Sequence, residues 1–541
     1  MPNWEKVTIA KQLQTAVQQY GDDTALVFKG EKWTYGELYQ ESAMLAAGLC
    51  EIGVKKGDRV GTLFGNAPEW VLTKYALHII GSVIVPINVN FRTEELKYIL
   101  RQGAIQTLIM TDKLKSGDYV GLLTEVDPDI TKGDHDTISS KIIPDLQRIV
   151  CLSPSGKRYL FCHDFLSIIE SGRSCNEKKI DDMIAMGAPE DICNILFTSG
   201  STAFPKGAMH NHTSLLGIGL HLIPKTFNMA PRSKLLCNFP FYHIAGCVYF
   251  PLGALTGGYE LHVNEFIAPE VLEIINSQKI NFFCGFEAHF NALANDPKFN
   301  DYDLESVGNI LLAAGPEWYD KCRNVFPGAK VIAHHYGFSE GTGVSMSFEE
   351  VDHNIRKHTN GKPWPGIEVK IIDPYTGDQV GPDNNGEICL RGWSRFQGYY
   401  NNEEETRKAI DRDGFFHSGD YGCKDLDGNI SYRGRYKMMI KTGGENVSER
   451  EVEIFLEGMS GVRSVQVIGV PHEKWGEAVT AIIEIEPEHR MTEKDVFDFC
   501  IGKISKFKIP KKIHFISSGE WPLLGSGKIN KIALKEKIVC Q

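Results

Sequence analysis

A chain of 541 residues exceeds what one hydrophobic core ordinarily supports, so two or more domains are expected. Its 42% apolar and 23% charged residues are those of a globular protein, and a net charge of −11 argues against a nucleic-acid partner. The thirteen cysteines include no Cys-x-x-Cys pair, which argues against a zinc ribbon or disulfide framework and for a reducing, cytoplasmic setting.

The opening Met1-Pro2-Asn3-Trp4 lacks the pattern of a signal peptide. The most apolar window, about Tyr75 to Ile87, is interrupted by His78, Gly81 and Pro86 and is too short to span a bilayer. Neither a leader nor a transmembrane segment is therefore expected. Thr34-Tyr35-Gly36-Glu37 is a capping-box pattern, followed by apolar residues at helical spacing and by Gly53 as the stop. Strands are predicted over Asp58–Phe64 and Ser82–Ile87, with helices over Glu69–Ile80 and from Thr93 onward. This alternation predicts an α/β fold with a doubly wound parallel sheet. Residues 112–190 give no clear element pattern, with Asp127-Pro128-Asp129 and Lys132-Gly133-Asp134 as loop chemistry and only short apolar runs between them. A second α/β unit follows, with strands over Leu235–Tyr242, Asn281–Cys284, Asn309–Ala314 and Lys330–Tyr336 and a helix over Pro269–Asn276. Between Gly361 and Tyr432 short alternating strands and turn clusters predict a small antiparallel β-barrel or sheet. Beyond Arg435 a capped helix from Ser448, strands over Val465–Gly469 and Thr480–Ile485 and a Lys-rich end predict a separate α+β domain. The expected domains are residues 1–434 and 435–541.

Several stretches carry chemistry. Thr198-Ser199-Gly200-Ser201-Thr202-Ala203-Phe204-Pro205-Lys206-Gly207 follows an apolar strand with four hydroxyls, glycine and one cation. Such a loop offers donors and positive charge to an oligophosphate, although it has neither Walker A nor dinucleotide spacing. His335-Tyr336-Gly337-Phe338-Ser339-Glu340 also follows a strand, where open α/β sheets place ligands. There a tyrosine can stack on a purine, a serine can bond a phosphate oxygen and a glutamate can hold Mg²⁺. Asp420, closing Phe415-Phe416-His417-Ser418-Gly419, is suited to accept from both hydroxyls of a ribose.

In this order the motifs resemble the acyl-adenylate-forming superfamily of acyl-CoA synthetases, adenylation domains and luciferases. The first resembles its phosphate loop, the second its Tyr-Gly-x-Thr-Glu motif with Ser339 for threonine, and the third its Gly-Asp motif. Gly434-Arg435-Tyr436-Lys437 resembles the domain boundary, with Met438 where an acidic residue is common. Leu523-Leu524-Gly525-Ser526-Gly527-Lys528 resembles the catalytic-lysine motif, and Pro240-Phe241-Tyr242-His243-Ile244-Ala245-Gly246 the segment beside the acyl pocket. Gly315-Pro316 resembles the adenine-contacting turn, and Lys441-Thr442-Gly443-Gly444 the segment lining the thiol tunnel. Gly392, Gly398 and Tyr399 fit the pattern upstream of Asp420.

The resemblance implies an AMP-forming acyl-CoA synthetase using ATP, Mg²⁺ and coenzyme A. It implies catalytic roles for Lys528, Glu340, Lys206 and His243, and nucleotide contacts from Thr198 to Thr202, Lys206, Gly315, Pro316, His335, Tyr336, Gly337, Ser339, Asp420 and Arg435. Glu340 and Thr198 would hold Mg²⁺, Lys437 would be the hinge, and Gly443 and Gly444 would line the CoA tunnel. His243, Gly246, Cys247, Gly285 and Phe286 would form the acyl pocket. No carboxylate lies between His243 and Phe250 to pair with an ammonium, which points away from amino acids and toward a medium- to long-chain fatty acid. The alternatives are an aryl or alicyclic acid:CoA ligase, a carrier-protein-loading enzyme, or a catalytically silent nucleotide sensor. Oligomeric state is left open.

Overall fold

A computed structural model describes residues 4–135, 138–198, 205–313, 318–347, 351–374, 376–435, 439–522, 529 and 531–539. The chain divides into two compact units, one of residues 1–89, 99–197 and 207–434, the other of residues 90–98, 198–206 and 435–541.

Two sheets organise the larger unit. In the first, seven strands run in the order Lys206–Asn211, Ile192–Thr198, Val83–Pro86, Arg59–Leu63, Thr107–Thr111, Arg148–Leu152, His163–Asp164. Val83–Pro86 and Thr107–Thr111 are buried along their whole length, as central strands of a parallel sheet are. The second sheet has nine strands. Its centre is a parallel run, in spatial order Val331–Tyr336, Asn309–Leu312, Phe282–Gly285, Lys234–Cys237, Glu260–Val263 and Thr24–Phe28. Antiparallel strands close both edges.

The helix Tyr35–Glu51 begins at the expected capping box. Thr34 Oγ1 accepts the Glu37 N–H at 3.1 Å, and Glu37 Oε2 accepts the Thr34 N–H at 2.8 Å. The helix Pro68–Ile80 is buried on every side, which explains why it lacks a polar stripe.

Two sequence expectations need revision. The strand over Leu235–Tyr242 is only Lys234–Cys237. Pro240 has no N–H for a ladder, and the Phe241 N–H donates to Asn66 Oδ1 at 3.0 Å instead. The chain then winds through a π-type turn, Ala245–Tyr249, into the helix Phe250–Gly257. Residues 112–190 are also more regular than expected, with helices Tyr119–Val126, Pro128–Lys132, Phe165–Ser171 and Glu177–Ala185 around the strand Arg148–Leu152. These helices are short, and each of the four starts after an Asp or Asn whose side chain accepts a first-turn N–H. Loop-like composition there was capping chemistry.

The segment expected as a small barrel or sheet is a four-stranded antiparallel sheet in the order Ile367–Ile372, Gly386–Gly392, Phe416–Lys424, Ile430–Arg435. In the smaller unit the strands Glu445–Ser448, Met439–Thr442, Gly476–Ile485 and Val462–His472 are neighbours in that order, and Lys512–Ile516 pairs in parallel with Gly476–Ile485. Its own core is Ile440, Val452, Leu456, Val467, Ile483 and Val496 with their neighbours.

Candidate active site

Two adjacent parallel strands end at one level, and a third beside them runs two residues past it. Gly285, Leu312 and His334 are in register, and the Ala313 N–H donates to Gly285 O at 3.0 Å. Phe286 follows the first of these strands and Tyr336 closes the third, while Gly315 and Pro316 lie outside the described residues. Ligands of open α/β sheets bind at such carboxyl ends.

Tyr336 is the last residue of its strand and is buried. Its hydroxyl donates to Asp420 Oδ2 at 2.8 Å, and its ring stacks with Tyr432 at 5.7 Å. Burial, with the Asp420 charge second, holds the Tyr336 phenol well above the ordinary tyrosine range, so it stays a donor. Asp420 reaches it through a bulge. Glu387 pairs with Tyr421 but Cys389 with His417, so Ser418, Gly419 and Asp420 all lie opposite Ile388. Gly419 takes a φ of +68°, open to glycine at little cost, and the Asp420 N–H donates to Ser418 Oγ at 3.0 Å.

Glu340 lies in a short turn after the same strand. Tyr399 Oη donates to Glu340 Oε1 at 2.9 Å, and the Phe396 N–H donates to Glu340 O at 2.7 Å. The Tyr399 segment is tied in turn to the strand Lys206–Asn211, through Met209 N–H to Gly398 O at 3.0 Å and Tyr400 N–H to Gly207 O at 2.8 Å. Gly337 is needed for closeness, since a Cβ there would come within 2.4 Å of His335 Nε2. The His335 ring packs on Trp364 with centroids 5.7 Å apart, and burial pushes its pKa down to about 4, so it is a neutral ring.

Around the segment expected to line an acyl pocket, Asn66 is the organising residue. Its amide donates to Phe239 O and Asn264 O, each at 2.9 Å, while its oxygen takes the Phe241 N–H. The loop so pinned leads to His243, whose side chain is exposed rather than a core ring. A Cβ at Gly246 would meet Pro240 O at 2.2 Å, so only glycine fits. Cys247 is fully buried, and burial pushes its thiol up to about 12. Phe286 packs edge-on against Phe239 at 5.4 Å, and His289, pushed down to about 4 by burial, contacts Phe239, Phe266 and Phe286. Asn66, Phe239 and His289 are absent from the sequence reading. Asn66 lies 173 residues from Phe239, and no local pattern announces such a bond.

In the smaller unit, Gly443 and Gly444 form the two-residue turn between Met439–Thr442 and Glu445–Ser448, with φ of +59° and +86°. Both positions therefore favour glycine. Lys508, part of the Lys-rich end, is buried and pairs with Glu451 at 2.7 Å rather than facing solvent. Ser199 to Thr202, Gly315, Pro316, Lys437 and Lys528 lie outside the described residues, as does the side chain of Arg435. Thr198 and Lys206 lie on either side of residues 199–204, which are outside the described residues, and Thr198 Oγ1 donates to Lys206 O at 3.5 Å.

Among the described residues two side-chain groups have metal-ligand chemistry, His78–Cys193–His212 and Glu387–Cys389–His417. In the first, His212 Nδ1 accepts the Ile9 N–H at 3.2 Å, which leaves the ring proton on its other nitrogen and no lone pair for a cation. In the second, the histidine is already bonded to the glutamate. No helix among the described residues is long and apolar enough to cross a membrane.

Comparison with known proteins agrees with this geometry. The AMP-binding enzyme family matches residues 13–400, and the AMP-binding enzyme C-terminal domain matches residues 451–528. A putative acyl-CoA synthetase, YngI of Bacillus subtilis, is 30% identical over 98% of this chain and 97% of its own. The mitochondrial medium-chain acyl-CoA ligase ACSF2 of Homo sapiens is 29% identical over 98% of this chain and 87% of its own. Among solved structures, the amide bond synthetase McbA of Marinactinospora thermotolerans shares the fold with a TM-score of 0.80 at 21% identity, covering 98% of this chain and 99% of its own. The chain belongs to the acyl-adenylate-forming superfamily, as an AMP-forming acyl-CoA synthetase.

Proposed function

We propose that the enzyme activates a medium- to long-chain fatty acid. A carboxylate oxygen attacks the α-phosphate of ATP, pyrophosphate leaves, and the CoA thiol then takes the acyl group from the adenylate, releasing AMP. Neither step requires a covalent enzyme intermediate, so the protein's task is positioning and charge stabilisation. The observation that carries the nucleotide assignment is the buried Tyr336–Asp420 pair beside the strand ends. Asp420 accepts from the ribose hydroxyls, and the ring of Tyr336 faces the base. Residues 1–434 act as the adenylating domain and 435–541 as the domain that brings Lys528 to the α-phosphate. Lys437 is the hinge, Arg435 a second nucleotide contact, and Gly443–Gly444 the segment serving the CoA thiol. Glu340 and Thr198 supply oxygen donors, the ligand type that suits Mg²⁺, and Tyr399 orients the Glu340 carboxylate. Mg²⁺ bound there neutralises polyphosphate charge.

The apolar acyl is supported by the aromatic wall of Phe239, Phe250 and Phe286 and by the lack of a carboxylate from His243 to Phe250. Carboxylate-dependent exchange of labelled pyrophosphate into ATP, across a panel of acids, tests the reading on wild type and Lys528→Ala. Exchange is expected with medium or long fatty acids and is expected to be lost in the variant. Exchange with aryl acids alone would move the substrate to that class, and none with any acid despite ATP binding would leave a nucleotide sensor. Acyl transfer to free CoA separates the proposal from a carrier-protein-loading enzyme.

A further inference from the structure

The bulge that delivers Asp420 rests on a charged clamp outside the nucleotide site. Glu387 uses one oxygen, Oε1, to accept the Gly419 N–H at 2.9 Å, at the centre of the bulge. Its other oxygen, Oε2, faces His417 Nδ1 at 3.1 Å. The second ring nitrogen, His417 Nε2, faces Asp411 Oδ2 at 3.6 Å. Asp411 is itself fixed by Lys370 at 2.8 Å and by the Phe415 N–H at 2.8 Å. The remaining titratable neighbour, Cys389 Sγ, lies 3.6 Å from Nδ1, and burial holds its thiol up and neutral.

An imidazole between two carboxylates satisfies both only when each nitrogen carries a proton. A neutral ring must turn a lone pair toward either Glu387 or Asp411. We infer that His417 is a positioning residue for nucleotide binding: as the imidazolium it bridges Asp411 and Glu387, keeps Glu387 on the Gly419 N–H, and so holds Asp420 at the ribose. This rests on the assignment of Asp420 to the nucleotide sugar. His417 touches no substrate and acts through Glu387 and the bulge. The hydrogen bond that Glu387 accepts, larger than the opposing effect of burial, raises the His417 pKa above the ordinary histidine value, with Asp411 adding and Lys370 subtracting. The raised value means that the clamp is closed below it and is lost as pH rises through it.

The test is the affinity for AMP and for its 2′,3′-dideoxy analogue, measured by calorimetry from pH 5.5 to 9 on the full chain. Wild type should lose about 3- to 10-fold in AMP affinity across the His417 titration, the worth of roughly one hydrogen bond, and little with the dideoxy analogue. His417→Gln should abolish that pH dependence and raise the ATP KM by a similar factor with kcat nearly unchanged. Glu387→Gln, a second variant in case the first does not fold, should weaken AMP binding without altering the analogue. The inference is overturned if His417→Gln keeps the wild-type pH profile, or if both nucleotides weaken equally, which is the mark of a purely structural residue. Asp420→Asn separates the two layers. If it leaves AMP affinity unchanged, the ribose assignment falls. If it weakens AMP while His417→Gln does not, only the clamp falls.

Discussion

Glycine at position 246 is dictated by a carbonyl. The Cβ of an alanine would sit 2.2 Å from Pro240 O, a backbone atom that cannot swing aside. Gly246→Ala should cost about 1–3 kcal/mol, seen as a lower melting temperature, and should raise the KM for the acid more than that for ATP. Tyr399 offers the opposite case, a substitution that removes one atom. Tyr399→Phe deletes the bond to Glu340 Oε1, and a loss of about 0.5–1.5 kcal/mol in kcat/KM for ATP is expected, with a higher Mg²⁺ requirement. A kinetic Mg²⁺ titration on the variant checks it, and an unchanged profile would separate Glu340 from the metal. The segment from Tyr336 to Glu340 was legible as a candidate site because its residues sit within a few positions of one strand end. The clamp of Glu387 and His417 was not, because its partners meet only after two strands pair around a bulge.

At the scale of elements, Asn66 is a junction between the first sheet and the loop before the π-type turn. Asn66→Ala would leave a buried Phe241 N–H and two carbonyls without their partner. A destabilisation of about 2–4 kcal/mol in denaturant unfolding is expected, at about 1–3 per orphaned group with partial relaxation. The helix Tyr35–Glu51 provides a smaller and cleaner test, since Thr34→Ala removes one half of its capping box for about 1 kcal/mol. Caps, alternation and glycine stops made most strands and helices readable. The segment Leu235–Tyr242 misled because its apolar run continues past the strand. What ends the strand is a proline and a side chain 175 residues away in sequence, Asn66 on Phe241. The Pro128–Lys132 region misled for the reverse reason, since its Asp and Asn caps look like loop composition.

At the scale of the whole molecule, acid should act on the large unit through its histidines. Burial pushes His210, His212, His221, His289 and His335 down to about 4, each from an ordinary value near 6.5. A depressed folded value means that the unfolded chain binds more protons between those limits. Stability is therefore full above about pH 6.5 and falls as pH drops toward 4. Melting temperatures between pH 7 and 4.5 should decline with a slope set by more than one proton, and replacing His212 by Gln should lessen it. A flat profile would mean these rings are protonated in the fold.

The nine-stranded sheet also carries a consequence for how the protein is made. Its strand Thr24–Phe28 lies beside Glu260–Val263, with Leu26 opposite Leu261, a separation of 261 − 26 = 235 residues. At about 5–20 residues per second the ribosome takes roughly 10–50 s to produce that partner. Throughout that interval the hairpin Thr24–Thr34 exposes one unpaired apolar edge, Leu26 and Val27 among it, to the crowded surroundings of a nascent chain. Synthesis arrested before residue 263 would release a fragment with an open strand edge, a natural client for a chaperone or a seed for aggregation.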